Sequence, residues 1–104
     1  MKDLAQQKDL AWIGDSILGL YARRWILDHG QQYPQFNRSE LFERMTRNQF
    51  LSALGEPTAV EATIGILYEN DGLPAAFAYL ETTLLPLFLK QINRAQPIHR
   101  KRHR

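Results

Sequence analysis

Apolar side chains recur along this chain at intervals of three and four, and no stretch alternates convincingly with period two, a pattern that predicts helices and almost no sheet. In the first segment Leu10, Ile13, Ile17, Leu20, Tyr21 and Ile26 keep helical spacing, and Ala11, Leu18 and Trp25 widen the apolar face. A long helix over about residues 6–29 follows, buried on more than one side. Gly30 ends it, and GQQYPQFN reads as a loop. A second helix starts after Asn37, which with Glu40 makes a capping-box pattern, and runs to Gly55 with Leu41, Phe42, Met45, Phe50, Leu51 and Leu54 on its buried side. Pro57 opens a third helix with the stripe Val60, Ile64, Leu67 and Tyr68, ended by ENDG. Leu73 and Pro74 open a fourth along Phe77, Leu80, Leu84 and Phe88, kinked or broken at Pro86. The expected fold class is all-α, with four main helices in one domain over residues 1–95 and a flexible basic tail over 96–104.

Composition narrows the chemistry. A chain of 104 residues can bury one core with little surplus, and 44% hydrophobic with 23% charged residues is ordinary for a globular domain. With no cysteine, disulfides and thiolate metal sites are excluded, so any metal must rely on carboxylates or histidines. MKDLAQQKDL lacks the apolar core of a signal peptide, and no apolar run approaches the roughly 18 residues needed to cross a bilayer. The expectation is a soluble cytoplasmic protein without membrane partners. The net charge of +2 is uneven, because Arg100, Lys101, Arg102 and Arg104 carry four positive charges at the end. That tail suits phosphate backbones or acidic surfaces, or is simply a solvated appendage.

Two acids interrupt this pattern. Asp15 follows Gly14 inside LAWIGDSILGLYARR, although glycine costs a helix interior about 0.8–1.0 kcal/mol and an acid among Trp12, Ile13, Ile17 and Leu18 needs a partner. Glu61 lies beside the stripe of the third helix, four residues before Gly65. Either Asp15 is satisfied by Lys8, Arg24 or a backbone donor while Glu61 is merely solvated, or the two helices pack at Gly14 and Gly65 and bring the acids together. Ser16 has no base beside it in sequence, and His29 after Asp28 reads as a charge near the last carbonyls of its helix, not as a metal ligand.

Together these segments resemble the ribonuclease III catalytic domain. Ile13-Gly14-Asp15 stands where that family has a metal-binding acid, and Val60-Glu61-Ala62-Thr63-Ile64-Gly65-Ile66-Leu67-Tyr68 is similar to the helix carrying another. The likeness extends through Asp71-Gly72-Leu73 and Ala75-Ala76. Two further carboxylates of the family correspond here to Ala11 and Thr58, and both departures are shared with the compact Mini-ribonuclease III branch, similar in Leu10-Ala11-Trp12-Ile13-Gly14-Asp15 and Thr58-Ala59-Val60-Glu61-Ala62. The chain departs from both by passing almost directly from Gly55 to Pro57, where family members carry further helical segments.

The resemblance implies a Mg²⁺-dependent endoribonuclease, with Mn²⁺ as a substitute, that hydrolyses structured or double-stranded RNA, a ribosomal RNA precursor among the substrates. Asp15 and Glu61 would be its metal ligands and catalytic residues. It also implies a two-fold homodimer with Trp12 at the interface, though a large aromatic beside an acid is also an ordinary core residue. Arg23, Arg24, Arg44, Arg47 and the tail residues Arg100, Lys101 and Arg102 are candidate phosphate contacts. For Arg44 and Arg47 the other reading is pairing with Glu40 and Glu43 on the same helix. The alternative to an enzyme is a non-catalytic RNA- or ribosome-associated dimeric module of the same fold. A helical interaction domain without RNA is the third reading.

Overall fold

Leu4–His29 forms one unbroken helix, α1, closed by a 3-10 turn over Gly30–Gln32. The structure is a computed structural model that describes residues 4–95. After α1 come α2 (Arg38–Thr46), α3 (Asn48–Leu51), α4 (Pro57–Asp71), α5 (Leu73–Thr83) and α6 (Leu85–Ala95). No strand occurs among the described residues, as the spacing predicts, and none of their helices is long and apolar enough to cross a membrane. The expected basic tail with Arg100, Lys101, Arg102 and Arg104 lies outside the described residues.

Among the described residues six α-helices replace the expected four, because two of the expected helices divide. The second breaks at Arg47, whose backbone is extended (φ −74°, ψ 151°) and serves both as the end of α2 and the start of α3. The reason is burial. At 100° per residue, an unbroken helix would turn Phe50 to the side opposite Leu41, yet Leu41, Met45, Phe50 and Leu51 all enter the core. One extended residue lets both pairs face inward. The capping box at the start of α2 forms as the sequence predicts: the Glu40 N–H donates to Asn37 Oδ1, and the Asn37 N–H donates to Glu40 Oε1, both at 2.8 Å.

The fourth expected helix divides at Leu84, two residues before Pro86, which lands in the first turn of α6 where its missing N–H costs nothing. Between α4 and α5 a single residue, Gly72, makes the joint at φ +90°, and its N–H still donates to the Tyr68 carbonyl at 2.9 Å.

The core lies under the C-terminal half of α1, where Ile17, Leu18, Tyr21, Ala22, Trp25 and Ile26 meet Leu41, Met45 and Phe50, Ile64 of α4, and Leu80, Leu84, Phe88 and Ile92 of the last two helices and the joint between them. Phe88 holds the centre, its ring edge-on to Trp25 at 5.5 Å and to Phe50 at 6.1 Å. Several expected core residues are less buried. Phe42 and Leu54 are half-buried, and Leu20 and Tyr68 are 42% and 41% exposed.

The N-terminal half of α1 packs differently, backbone to backbone. A Cβ placed on Gly14 would overlap the Glu61 carbonyl, and one on Gly65 would overlap the Leu10 carbonyl. Moving back along α1 from residue 14 to 10 thus corresponds to moving forward along α4 from 61 to 65, so the helices run in opposite senses there. The two glycines allow a contact that no side chain could share.

Candidate functional site: an acid pair at the α1–α4 crossing

That crossing brings Asp15 and Glu61 together. Their carboxyls lie close enough that Asp15 helps to hold the Glu61 carboxyl above its ordinary value. The costly glycine beside the acid therefore has a use, though not the one a buried aspartate would suggest. Asp15 is exposed, and Glu61 is the half-buried partner. Of the two basic residues the sequence offers Asp15, one is turned away and the other shares its cleft. Nine residues of helix turn Arg24 to the opposite face, whereas Lys8, two turns earlier on the same face, lines the same cleft.

The cleft is formed by Lys8, Ala11, Trp12, Asp15, Thr58 and Glu61 and has a volume of about 380 Å³. With liquid water occupying roughly 30 Å³ per molecule, it has room for a cation with several waters. The donor set consists of hard oxygens, the kind such an ion prefers. Among the described residues no group of three or more His, Cys, Asp or Glu side chains converges, so the two carboxyls would be its only charged protein ligands.

Burial pushes the Glu61 carboxyl up to about 7, helped by its hydrogen bond to Asp15, by the negative charge of Asp15 and by that of Glu56. Glu56 caps α4, accepting from the N–H groups of Ala59 at 2.9 Å and Thr58 at 3.2 Å, which hold its own carboxyl below the ordinary value. Its influence on Glu61 escapes a periodicity reading, because capping lies outside the helical stripe.

A pH dependence follows. Glu61 titrates at about 7 in the fold, against 4.5 ordinarily, so between those values the folded chain holds a proton that the unfolded chain has released. The stability this contributes is complete below about 4.5 and is lost as pH rises toward 7. Without divalent cations, denaturant titrations should show stability falling on the order of 1 kcal/mol between about pH 5 and 8, after allowance for solvent screening. Glu61→Gln should flatten that slope, and an equal slope in the variant would contradict the assignment.

The expected phosphate contacts are scattered. Arg23 and Arg24 are exposed on α1, with the Arg23 guanidinium 4.4 Å from the Phe42 ring centroid. Arg44 stacks on Phe36 at 4.8 Å, while Glu40, one of its expected partners, is turned back to the Asn37 N–H. Arg47 is half-buried with its Nε enclosed and without a hydrogen-bond partner. It sits at the break in the chain, not on the helix face that the Glu40 and Glu43 pairing requires. Trp12 is 78% exposed at the edge of the acid cleft, which overturns the core reading of that residue.

Comparison with protein-family models, curated proteins and solved structures finds no match to this chain.

Proposed function

We propose that this protein is a Mg²⁺-dependent endoribonuclease of the ribonuclease III type, similar to Mini-ribonuclease III, acting as a homodimer on structured or double-stranded RNA such as a ribosomal RNA precursor. The observation that carries the reading is the convergence of Asp15 and Glu61 at a crossing built from Gly14 and Gly65. Ala11 and Thr58, which stand where the resembling family has two further carboxylates, line the same cleft, so all four corresponding positions face one space.

Asp15 and Glu61 would hold the ion. Bound there, Mg²⁺ supplies charge neutralisation at a phosphate and a water of lowered pKa, and Mn²⁺ can replace it. Asp15 presents its carboxyl from the exposed side of α1, and Glu61 reaches the same space from α4. Glu61 would have to release its proton for both of its oxygens to serve as ligands.

The dimer has support in an exposed apolar strip on α1. Trp12 and Leu20 are 78% and 42% exposed and lie about 80° apart around the helix. Sedimentation should give twice the mass of one chain for the wild type, and Trp12→Glu should shift it toward the monomer. A wild type that sediments as a single chain at working concentration would remove the dimer from this reading.

The experiment for the activity is incubation of an end-labelled RNA duplex with the full chain, in Mg²⁺ and in chelator. Cutting that needs the metal supports the enzyme. The second reading, a non-catalytic RNA- or ribosome-associated module, is favoured by the reduced ligand set at Ala11 and Thr58. It requires salt-sensitive RNA retention with no cutting in either arm.

A further inference from the structure

A second concave surface lies farther along α1, where α2 crosses it. Arg23, Ile26 and Leu27 of α1 and Arg38, Ser39 and Phe42 of α2 line it. Two guanidinium groups and a hydroxyl thus surround an apolar floor, and no carboxylate is among the lining residues.

The cations are arranged, not merely present. Arg23 reaches back along its own helix until Nη1 lies over Gly19, 3.0 Å from where a Cβ would stand, and its guanidinium rests on the Phe42 ring at 4.4 Å. A guanidinium held by one face keeps its in-plane N–H groups available for a phosphate. Arg38 and Ser39 come from the first turn of α2, where Glu40 is drawn away from the cavity by its bond to the Asn37 N–H. The Gly19 gap and the capping box leave two cations at a cavity that no acid among the described residues lines.

The position relates this surface to the acid pair. Arg23 is eight residues beyond Asp15, about 12 Å along the helix between backbone positions, and its guanidinium reaches back toward Asp15 as far as Gly19. We propose that the Arg23–Arg38 cavity anchors a backbone phosphate of the RNA strand, apart from the phosphate at Asp15 and Glu61, and so sets the register of the cut. The inference rests on the ribonuclease reading for its register and on the cavity alone for its phosphate.

Binding is measured by fluorescence anisotropy with a labelled RNA duplex in chelator, where no cutting occurs, across a salt series. Arg23→Ala and Arg38→Ala should each weaken binding about tenfold near 0.1 M salt and lower the slope of log affinity against log salt by about 0.9. Arg23→Lys should recover the slope, and Lys90→Ala, an exposed cation on α6, should change neither quantity. In Mg²⁺, the end-labelled duplex cut at one main position by the wild type should give a spread of positions with Arg23→Ala.

Unchanged affinity and slope in both arginine variants overturn the anchor, even if cutting continues and the nuclease reading stands. Displacement of the duplex by micromolar nucleoside monophosphate overturns it in favour of a small phosphorylated ligand. A wild type that binds no RNA overturns it as well. Loss of binding in the variants, with no cutting by any form in Mg²⁺, keeps the phosphate site and removes the nuclease.

Discussion

Gly14→Ala should cost this protein at least about 3 kcal/mol, a large part of the 5–15 kcal/mol typical of a domain, and thermal unfolding followed by circular dichroism should show a loss of many degrees or no folded state. Helix propensity alone predicts the opposite, because alanine is favoured over glycine by about 0.8–1.0 kcal/mol in a helix interior. The added methyl would occupy the space of the Glu61 carbonyl oxygen, and the next nearest atoms are Glu61 C and Gly65 N. All three are backbone, so no rotamer change relieves the overlap, and α1 and α4 must separate along their contact. Ordinary overpacking costs about 1–3 kcal/mol where side chains can adjust, and here they cannot. Gly19→Ala supplies the contrast, since its Cβ would meet the far end of the Arg23 side chain, which can swing aside. That variant should keep or slightly raise the melting temperature. Equal melting of the Gly14→Ala protein and the wild type would show that the backbone contact is not as close as described.

The second large effect is on activity. Asp15→Asn should lower Mg²⁺-dependent cutting of the RNA duplex by at least about a thousandfold, as loss of a group stabilising charge at the reacting centre does, while leaving the melting temperature within a few degrees. The fold should tolerate the change because Asp15 is exposed and an amide of the same shape can donate to the Glu61 carboxyl. Glu61→Gln should abolish cutting similarly. Cutting within tenfold of the wild type in either variant sinks the assignment of these carboxyls. Absence of cutting by the wild type itself, with salt-sensitive RNA retention that Asp15→Asn does not disturb, selects the non-catalytic module.

The two acids show how far sequence reading reaches into the site. Asp15 and Glu61 stand out individually because each breaks an apolar pattern beside a small residue. Their convergence follows once Gly14 and Gly65 are taken as the points of contact. What the pattern misjudges is burial: Asp15 looks enclosed among Trp12, Ile13, Ile17 and Leu18, yet it is exposed, as is Trp12. Neighbours in sequence are spread around a helix at 100° apart, so apolar company along the chain does not imply apolar surroundings in space.

The sequence by itself determined what depends on a few consecutive residues. The helical character of the chain, the capping box of Asn37 and Glu40, the loop after Gly30 and the starts of α4 at Pro57 and of α5 at Leu73 and Pro74 are local matters of spacing and backbone chemistry. Only the tertiary structure decided where helices had to break and which groups met. The break at Arg47 answers the need to bury Phe50 on the same side as Leu41. The raised carboxyl of Glu61 reflects desolvation and charges from α1 and from the cap of α4, and the Arg23–Arg38 cavity joins residues fifteen positions apart. Burial and electrostatics are summed over space, so they depend on contacts that the linear order does not contain.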